Sequence, residues 1–217
     1  MIHEENGGGG PAKGRATAGS PAETLQEVSM PTSILFSGHM IDMPDRPSPR
    51  FPPKLAFPAG RRIHAAIASF LHGDPSEPVL GFASGARGGD ILFHEECRAQ
   101  RIDTVIILPF SPEEFIRSSV ELAESDPGDW RRRFRKLWDE TPETRREIMD
   151  LPHNDRAYGL CNERLITRAR AYGPVHLIAL WDGQKGDGHG GTANMVAQAD
   201  SNGTPDVISP RSLEPHP

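Results

Sequence analysis

The sequence predicts an α/β fold: a doubly wound, mostly parallel sheet (Rossmann-like) with helices on both faces. Two observations carry this. Short apolar runs are continuous rather than alternating, as strands covered on both faces require. Amphipathic helical stretches separate them, which gives βαβ units and hence parallel pairing. The runs are Ser33–Phe36, Val79–Ala83, Thr104–Leu108 and Val175–Leu180, with a weaker fifth at Asp206–Ile208.

The helical stretches follow in order. Arg61–Leu71 places Ile63, Ile67, Phe70 and Leu71 on one face. Asp90–Arg101 carries Ile91, Leu92 and Cys97. Asp155–Tyr172 carries Leu160, Leu165, Ile166 and Ala169. Thr192–Ala199 carries Met195, Val196 and Ala199. Residues 111–155 interrupt the rhythm as a helical insertion. Within it Trp130, Phe134, Leu137 and Trp138 form an amphipathic stripe, and Arg131, Arg132, Arg133, Arg135 and Lys136 make the other face basic. That helix is expected either as an added packing element or as a lid or partner helix. Ser111 before Pro112 and Glu113-Glu114 is a helix start, and Phe115 and Ser118 behind it are either site-lining or structural, with the structural role preferred.

The 217 residues are expected to make one domain over 31–209. Residues 1–30 contain Gly7–Gly10 and few aliphatic residues, so they are expected to be a disordered tail. Residues 210–217 are read as a second tail. The balance of 24 Lys and Arg against 30 Asp and Glu gives a net charge of −6, which speaks against bulk-charge binding of DNA. No run approaches the roughly 20 apolar residues of a membrane span. The N-terminus lacks the basic and apolar segments of a signal peptide, and the two cysteines, Cys97 and Cys161, make no disulfide framework. A cytoplasmic protein with reduced thiols is expected.

In a parallel sheet the chemistry sits in the turns that follow the strands. After the first run come Gly38 and His39: a sharp turn and a donor for a phosphate or a base. After the second comes Ser84-Gly85-Ala86-Arg87-Gly88-Gly89-Asp90, opening directly into a helix. Its glycines free the backbone, and the unpaired N–H groups of the helix start suit an anion. Arg87 adds a cation, and Asp90 is expected as a helix cap. After the fourth comes Trp181-Asp182 and then Gly183–Thr192, with Gly188, Gly190 and Gly191 expected close to a ligand and Thr192 as a hydroxyl donor. Neither loop is a Walker A sequence or a G-x-G-x-x-G fingerprint. Asp90 and His94, with Glu95, Glu96 and Cys97, lack metal-ligand spacing, so no metal is expected, and no cofactor.

The segment 84–90 resembles the Ser-Gly-x-Ala-x-Gly-Ile-Asp turn of the DNA-processing protein A family. Asn162-Glu163-Arg164-Leu165 resembles the His-Glu-Arg-Lys segment of the Lonely Guy family, and Asp187–Thr192 is similar to that family's Pro-Gly-Gly-x-Gly-Thr motif. Both families belong to the SLOG superfamily. The resemblance implies a Rossmann-like domain that binds nucleotides or their derivatives, in a bacterial signalling or conflict setting. It implies Arg164 as a ligand-binding arginine, and a homodimer or an effector protein as partner. The Lonely Guy catalytic glutamate falls on Met195, which cannot ionise. Binding or sensing of a small nucleotide-like ligand is therefore expected rather than catalysis. The alternatives are an N-glycosidic nucleotide hydrolase with a relocated carboxylate such as Asp182 or Asp187, and a protein-interaction scaffold acting through the basic helix.

Overall fold

A computed structural model describes residues 31–71, 78–122, 126–185, 191–199 and 204–214. Six strands form one sheet: β1 (Thr32–Gly38), β2 (Val79–Ala83), β3 (Asp103–Leu108), β4 (Arg146–Ile148), β5 (Val175–Leu180) and β6 (Asp206–Ile208). The order is β4-β3-β2-β1-β5-β6, and every pairing is parallel. This is a Rossmann-like, doubly wound α/β fold. The chain winds from β1 to β4 toward one edge, crosses back, and builds β5 and β6 on the other side of β1. The winding therefore reverses between β1 and β5.

The helices are α1 (Ala56–Leu71), α2 (Gly89–Ala99), α3 (Pro112–Phe115, continued by a π turn to Val120), α4 (Trp130–Glu140), α5 (Asp155–Tyr172) and α6 (Thr192–Ala199). Alternate strand residues bury on opposite faces. Ile34, Phe36, Ile106, Leu108, Ile178 and Leu180 join one core with α1, α2 and α4. Leu35, Val105, Ile107 and Leu177 join the other with Cys161, Leu165, Ile166 and Met195 from α5 and α6. This two-sided burial is why the strand sequences read as unbroken apolar runs.

Local chemistry sets the helix ends. Asn154 caps α5 by accepting from the Ala157 N–H at 3.2 Å. At the other end Gly173 lies against the Pro31 carbonyl, where a Cβ would stand 1.8 Å from the oxygen. Ser111 caps α3 through the Glu114 N–H at 3.3 Å, as its sequence predicts.

Two expectations need correction. The stretch 111–155 is no simple helical insertion, because it also supplies β4, the edge strand beside β3. The chain after Ile208 remains packed: Pro210–Leu213 forms a 3-10 turn with Pro210 and Leu213 buried. The proposed tail from residue 210 thus starts inside the folded domain, where proline fits the first position of a helical turn. α4 follows the packing alternative. Its aromatic stripe is buried against α2 and the π turn, and its basic face is partly neutralised. Arg133 pairs with Glu95, Arg132 with Asp129 and Arg131 with Glu121. The tail over 1–30 lies outside the described residues, and so do Gly188 and Gly190.

Candidate functional site

The turns after β1, β2, β3 and β5 and the first turns of α5 surround one cleft of about 650 Å³. It opens at the carboxyl ends of the strands, where the winding reverses between β1 and β5. Open α/β sheets bind ligands at such a place, because the connections leave on opposite faces and part there.

Gly38, His39, Ser84, Arg87, Asp90, Gly191 and Thr192 all line the cleft, which brings together sequence positions more than 150 residues apart. Ser37 Oγ donates to Thr192 Oγ1 at 3.4 Å, joining the β1 turn to the start of α6. Among the described residues no group of three or more His, Cys, Asp and Glu gathers to hold a metal ion, and no helix is long and apolar enough to cross a membrane.

The glycine-rich turn after β2 differs from its sequence reading. Gly88 has φ +93°, and a Cβ there would stand 2.7 Å from the Ile41 nitrogen. At Gly89 a Cβ would stand 2.8 Å from the Gly38 Cα, and at Gly85 2.7 Å from the Phe134 ring. These glycines let the β1 turn and α4 close on the β2 turn; among the described residues Gly85, Gly88 and Gly89 are not part of the cleft wall. The N–H groups expected to meet a phosphate are largely spent. Gly89 donates to the His39 carbonyl at 3.1 Å, Arg87 to the Ser119 carbonyl at 3.0 Å, and Ala86 to the Asp90 carboxylate at 3.2 Å.

Asp90 is therefore not the helix cap. Gly88 holds that position, and the Asp90 carboxyl reaches back to the Ala86 N–H and across to the Gly38 N–H. Burial pushes its pKa up to about 7, against the pull of those two bonds. Arg87 lines the cleft but works as a tie. Its Nε donates to the Ile41 carbonyl at 3.0 Å, and Ile41 N–H donates back to the Arg87 carbonyl at 3.2 Å. Burial lowers its pKa, while Asp42 and Asp126 oppose that.

Asp182 stands beside the cleft as half of an ion pair with Arg50. Arg50 donates through Nε to Oδ2 at 2.8 Å and through Nη2 to Oδ1 at 2.7 Å. These bonds hold the Asp182 carboxyl well below the usual carboxylate range. His39 Nε2 lies 3.2 Å from the Asp182 backbone nitrogen and 3.1 Å from Asp182 Oδ1, so the β1 turn is tied to the β5 turn at this ring nitrogen. Burial, then the Arg50 charge, lowers the His39 pKa. Asp42 anchors the same loop by accepting from the N–H groups of Arg50 (2.8 Å) and Phe51 (2.7 Å).

Arg164 is not in the cleft. It sits exposed on α5 and donates through Nε to Glu147 Oε1 of β4 at 2.5 Å. Met195 is 1% exposed, inside the apolar cluster of α5 and α6. Both cysteines are buried and not joined in a disulfide, and burial raises the Cys161 thiol to about 12.

Sequence reasoning missed several cleft residues. Arg46 and Arg50 come from the Pro-rich stretch between β1 and α1, where no periodicity points inward. Tyr158 and Asn162 come from the first turns of α5; Phe115 and Ser118, for which the sequence favours the structural role over the site-lining one, form part of the wall. The one available signal was the length of the connection after β1, since long loops at this edge of an α/β sheet often carry function.

No protein-family model matches this chain, and no curated protein sequence matches it at a significant level.

Proposed function

We propose that this protein binds or senses a nucleotide or nucleotide-derived ligand in the cleft between the β1 and β5 turns, as a SLOG-type domain. The observation that carries the reading is the cleft itself: about 650 Å³ at the reversal point of a doubly wound sheet. Small-molecule sites span roughly 300–1,000 Å³. Its walls divide by chemistry. Phe115, Tyr158, Met40 and Met43 offer ring faces and apolar surface for a base. Ser37, Ser118, Asn162 and Thr192 offer hydroxyl and amide groups, and Arg46, paired with Asp42, and Arg50, paired with Asp182, also line the cleft.

Binding is favoured over N-glycosidic hydrolysis by the fate of the two residues that hydrolysis would borrow from the Lonely Guy pattern. Arg164 is paired outside the cleft and Met195 lies in the core. Asp182, one candidate for the relocated carboxylate, is engaged on both oxygens by Arg50, and Asp187, the other, lies outside the described residues.

The experiment is a thermal-shift panel with mononucleotides, NAD, ADP-ribose and cyclic nucleotides. A ligand at 100 times its Kd stabilises by about 2.7 kcal/mol, a readable shift for a domain of this size. The reading predicts at least one hit, and for a phosphate-bearing hit a loss in Arg46→Ala. No shift with any nucleotide would overturn it.

A further inference from the structure

We propose that Asp90 reads the sugar hydroxyls of the ligand, so that the cleft prefers ribonucleosides and ribonucleoside monophosphates over their deoxy counterparts. The inference rests on the nucleotide reading above and specifies its ligand.

Asp90 lines the cleft and is 8% exposed. A carboxylate has about four acceptor positions. Two are met from the walls, by the N–H groups of Ala86 and Gly38. Among the described residues no lysine or arginine forms an ion pair with it, and its neighbour Arg87 is turned to the Ile41 carbonyl. The acceptor capacity that remains is met by whatever enters the cleft.

Position decides what that is. The N-terminus of a helix after a glycine-rich turn is where an anion would dock. Here the protein has placed its own carboxyl on those N–H groups. A phosphate at the same spot would meet like charge and find the donors taken. The complement of a buried acceptor is a donor, and a vicinal diol offers two. Ser37 and Thr192, whose hydroxyls are 3.4 Å apart, line the same cleft and can donate to or accept from the same sugar. The charges along the walls agree. Asp42, Asp45, Asp90 and Asp155 stand against Arg46, Arg50 and Arg87, so the cleft has no cationic excess for a polyphosphate chain.

The arrangement also gives a pH signature. The other charged or titratable groups lining the cleft are His39, Asp42, Asp45, Arg46 and Arg50 from the β1 connection, Arg87 from the β2 turn, and Asp155, Tyr158 and Cys161 from α5, with Asp182 beside His39 and His94 one turn along α2 from Asp90. His39 and Asp182 are shifted down, His94 is lowered to about 4 and Cys161 raised to about 12. All four move away from neutrality, whereas Asp90 moves toward it. Sugar hydroxyls donate to the carboxylate and not to the acid, so affinity falls as pH drops through neutrality.

The test is calorimetric titration of the full chain with AMP, GMP, CMP and UMP and with their 2′-deoxy and 3′-deoxy forms, at pH 8 and pH 6. The expected result is that a ribonucleotide binds at least about tenfold more tightly than one of its deoxy forms, the cost of a lost hydrogen bond to a charged group. Its affinity is expected to weaken at pH 6, and both differences to shrink in Asp90→Asn. Equal binding of ribo and deoxy forms by the wild-type protein would overturn this inference and leave the nucleotide reading intact. Persistence of the hydroxyl preference in folded Asp90→Asn would also overturn it. No binding of any nucleotide would take down both.

Discussion

Arg50 and Asp182 meet across the reversal point of the sheet in a two-point ion pair, with N–O distances of 2.8 and 2.7 Å. One residue ends the loop that follows β1, the other begins the turn that follows β5. Their side chains are 13% and 4% exposed, so solvent screens the pair little. The guanidinium also reaches the Gln184 carbonyl at 3.2 Å, which extends the tie further along the β5 turn.

Breaking that pair therefore has a stability cost and a local one. Arg50→Ala leaves a nearly buried carboxylate without its bidentate partner. The expected loss is on the order of 2–3 kcal/mol, between the values for surface and fully buried pairs. Urea unfolding measures it. Asp182→Asn is expected to lose less, because the amide oxygen still accepts one bond. A loss within error of zero for Arg50→Ala would mean that the loop is held by Asp42 alone.

The glycines of the β2 turn make a second prediction. Gly88→Ala forces a side chain into φ +93° and against the Ile41 nitrogen, and is expected to destabilise by at least about 2 kcal/mol. Gly159→Ala, on α5 with nothing within 4 Å of its Cβ, is expected to stabilise by roughly 0.5–1 kcal/mol. Midpoints of chemical unfolding for the two variants should move in opposite directions.

Two buried groups give opposing pH slopes. Asp90 has a folded pKa of about 7, above its ordinary 3.8. Its contribution to stability is complete below about pH 4 and is lost as pH rises through 7. His94 donates from Nε2 to the Ser84 carbonyl at 2.7 Å and pairs through Nδ1 with Thr104 Oγ1 at 2.8 Å. Burial lowers its folded pKa from 6.5 to about 4. Its contribution is present above 6.5 and is lost as pH falls toward 4. The stability of Asp90→Asn relative to wild type should accordingly climb between pH 4 and 7 and level off above. That of His94→Gln relative to wild type should climb as pH falls from 6.5 to 4. Urea unfolding across pH 4–8 reads both, and a flat difference for either variant would contradict that assignment.

Much of the fold is legible in the sequence because burial on two faces leaves a plain mark. Ile106, Ile107 and Leu108 are adjacent and all fully buried, which a one-faced strand does not allow. β4 left no such mark. Arg146-Glu147-Ile148 is an edge strand of three residues, half-exposed and charged, as edge strands tend to be. The wall of the cleft was legible where turn chemistry follows a strand, as at His39, Ser84 and Thr192. It was misread where glycine has two physical uses. Gly88 and Gly89 look the same in sequence whether a phosphate or the backbone of Gly38 and Ile41 lies against them. Arg164 was placed in the site by resemblance to a family segment, whereas on α5 its side chain turns to Glu147 of β4.

The most direct measurement is amide chemical-shift mapping of the full chain titrated with AMP. The account predicts saturable shifts grouped around the cleft, at His39, Ser84, Ala86, Ser118 and Thr192, with Arg98, Arg101 and Arg145 at the opposite edge of the sheet unmoved. Shifts confined to that opposite edge, or a spectrum unchanged at millimolar AMP and at millimolar levels of the other ribonucleoside monophosphates, would contradict it.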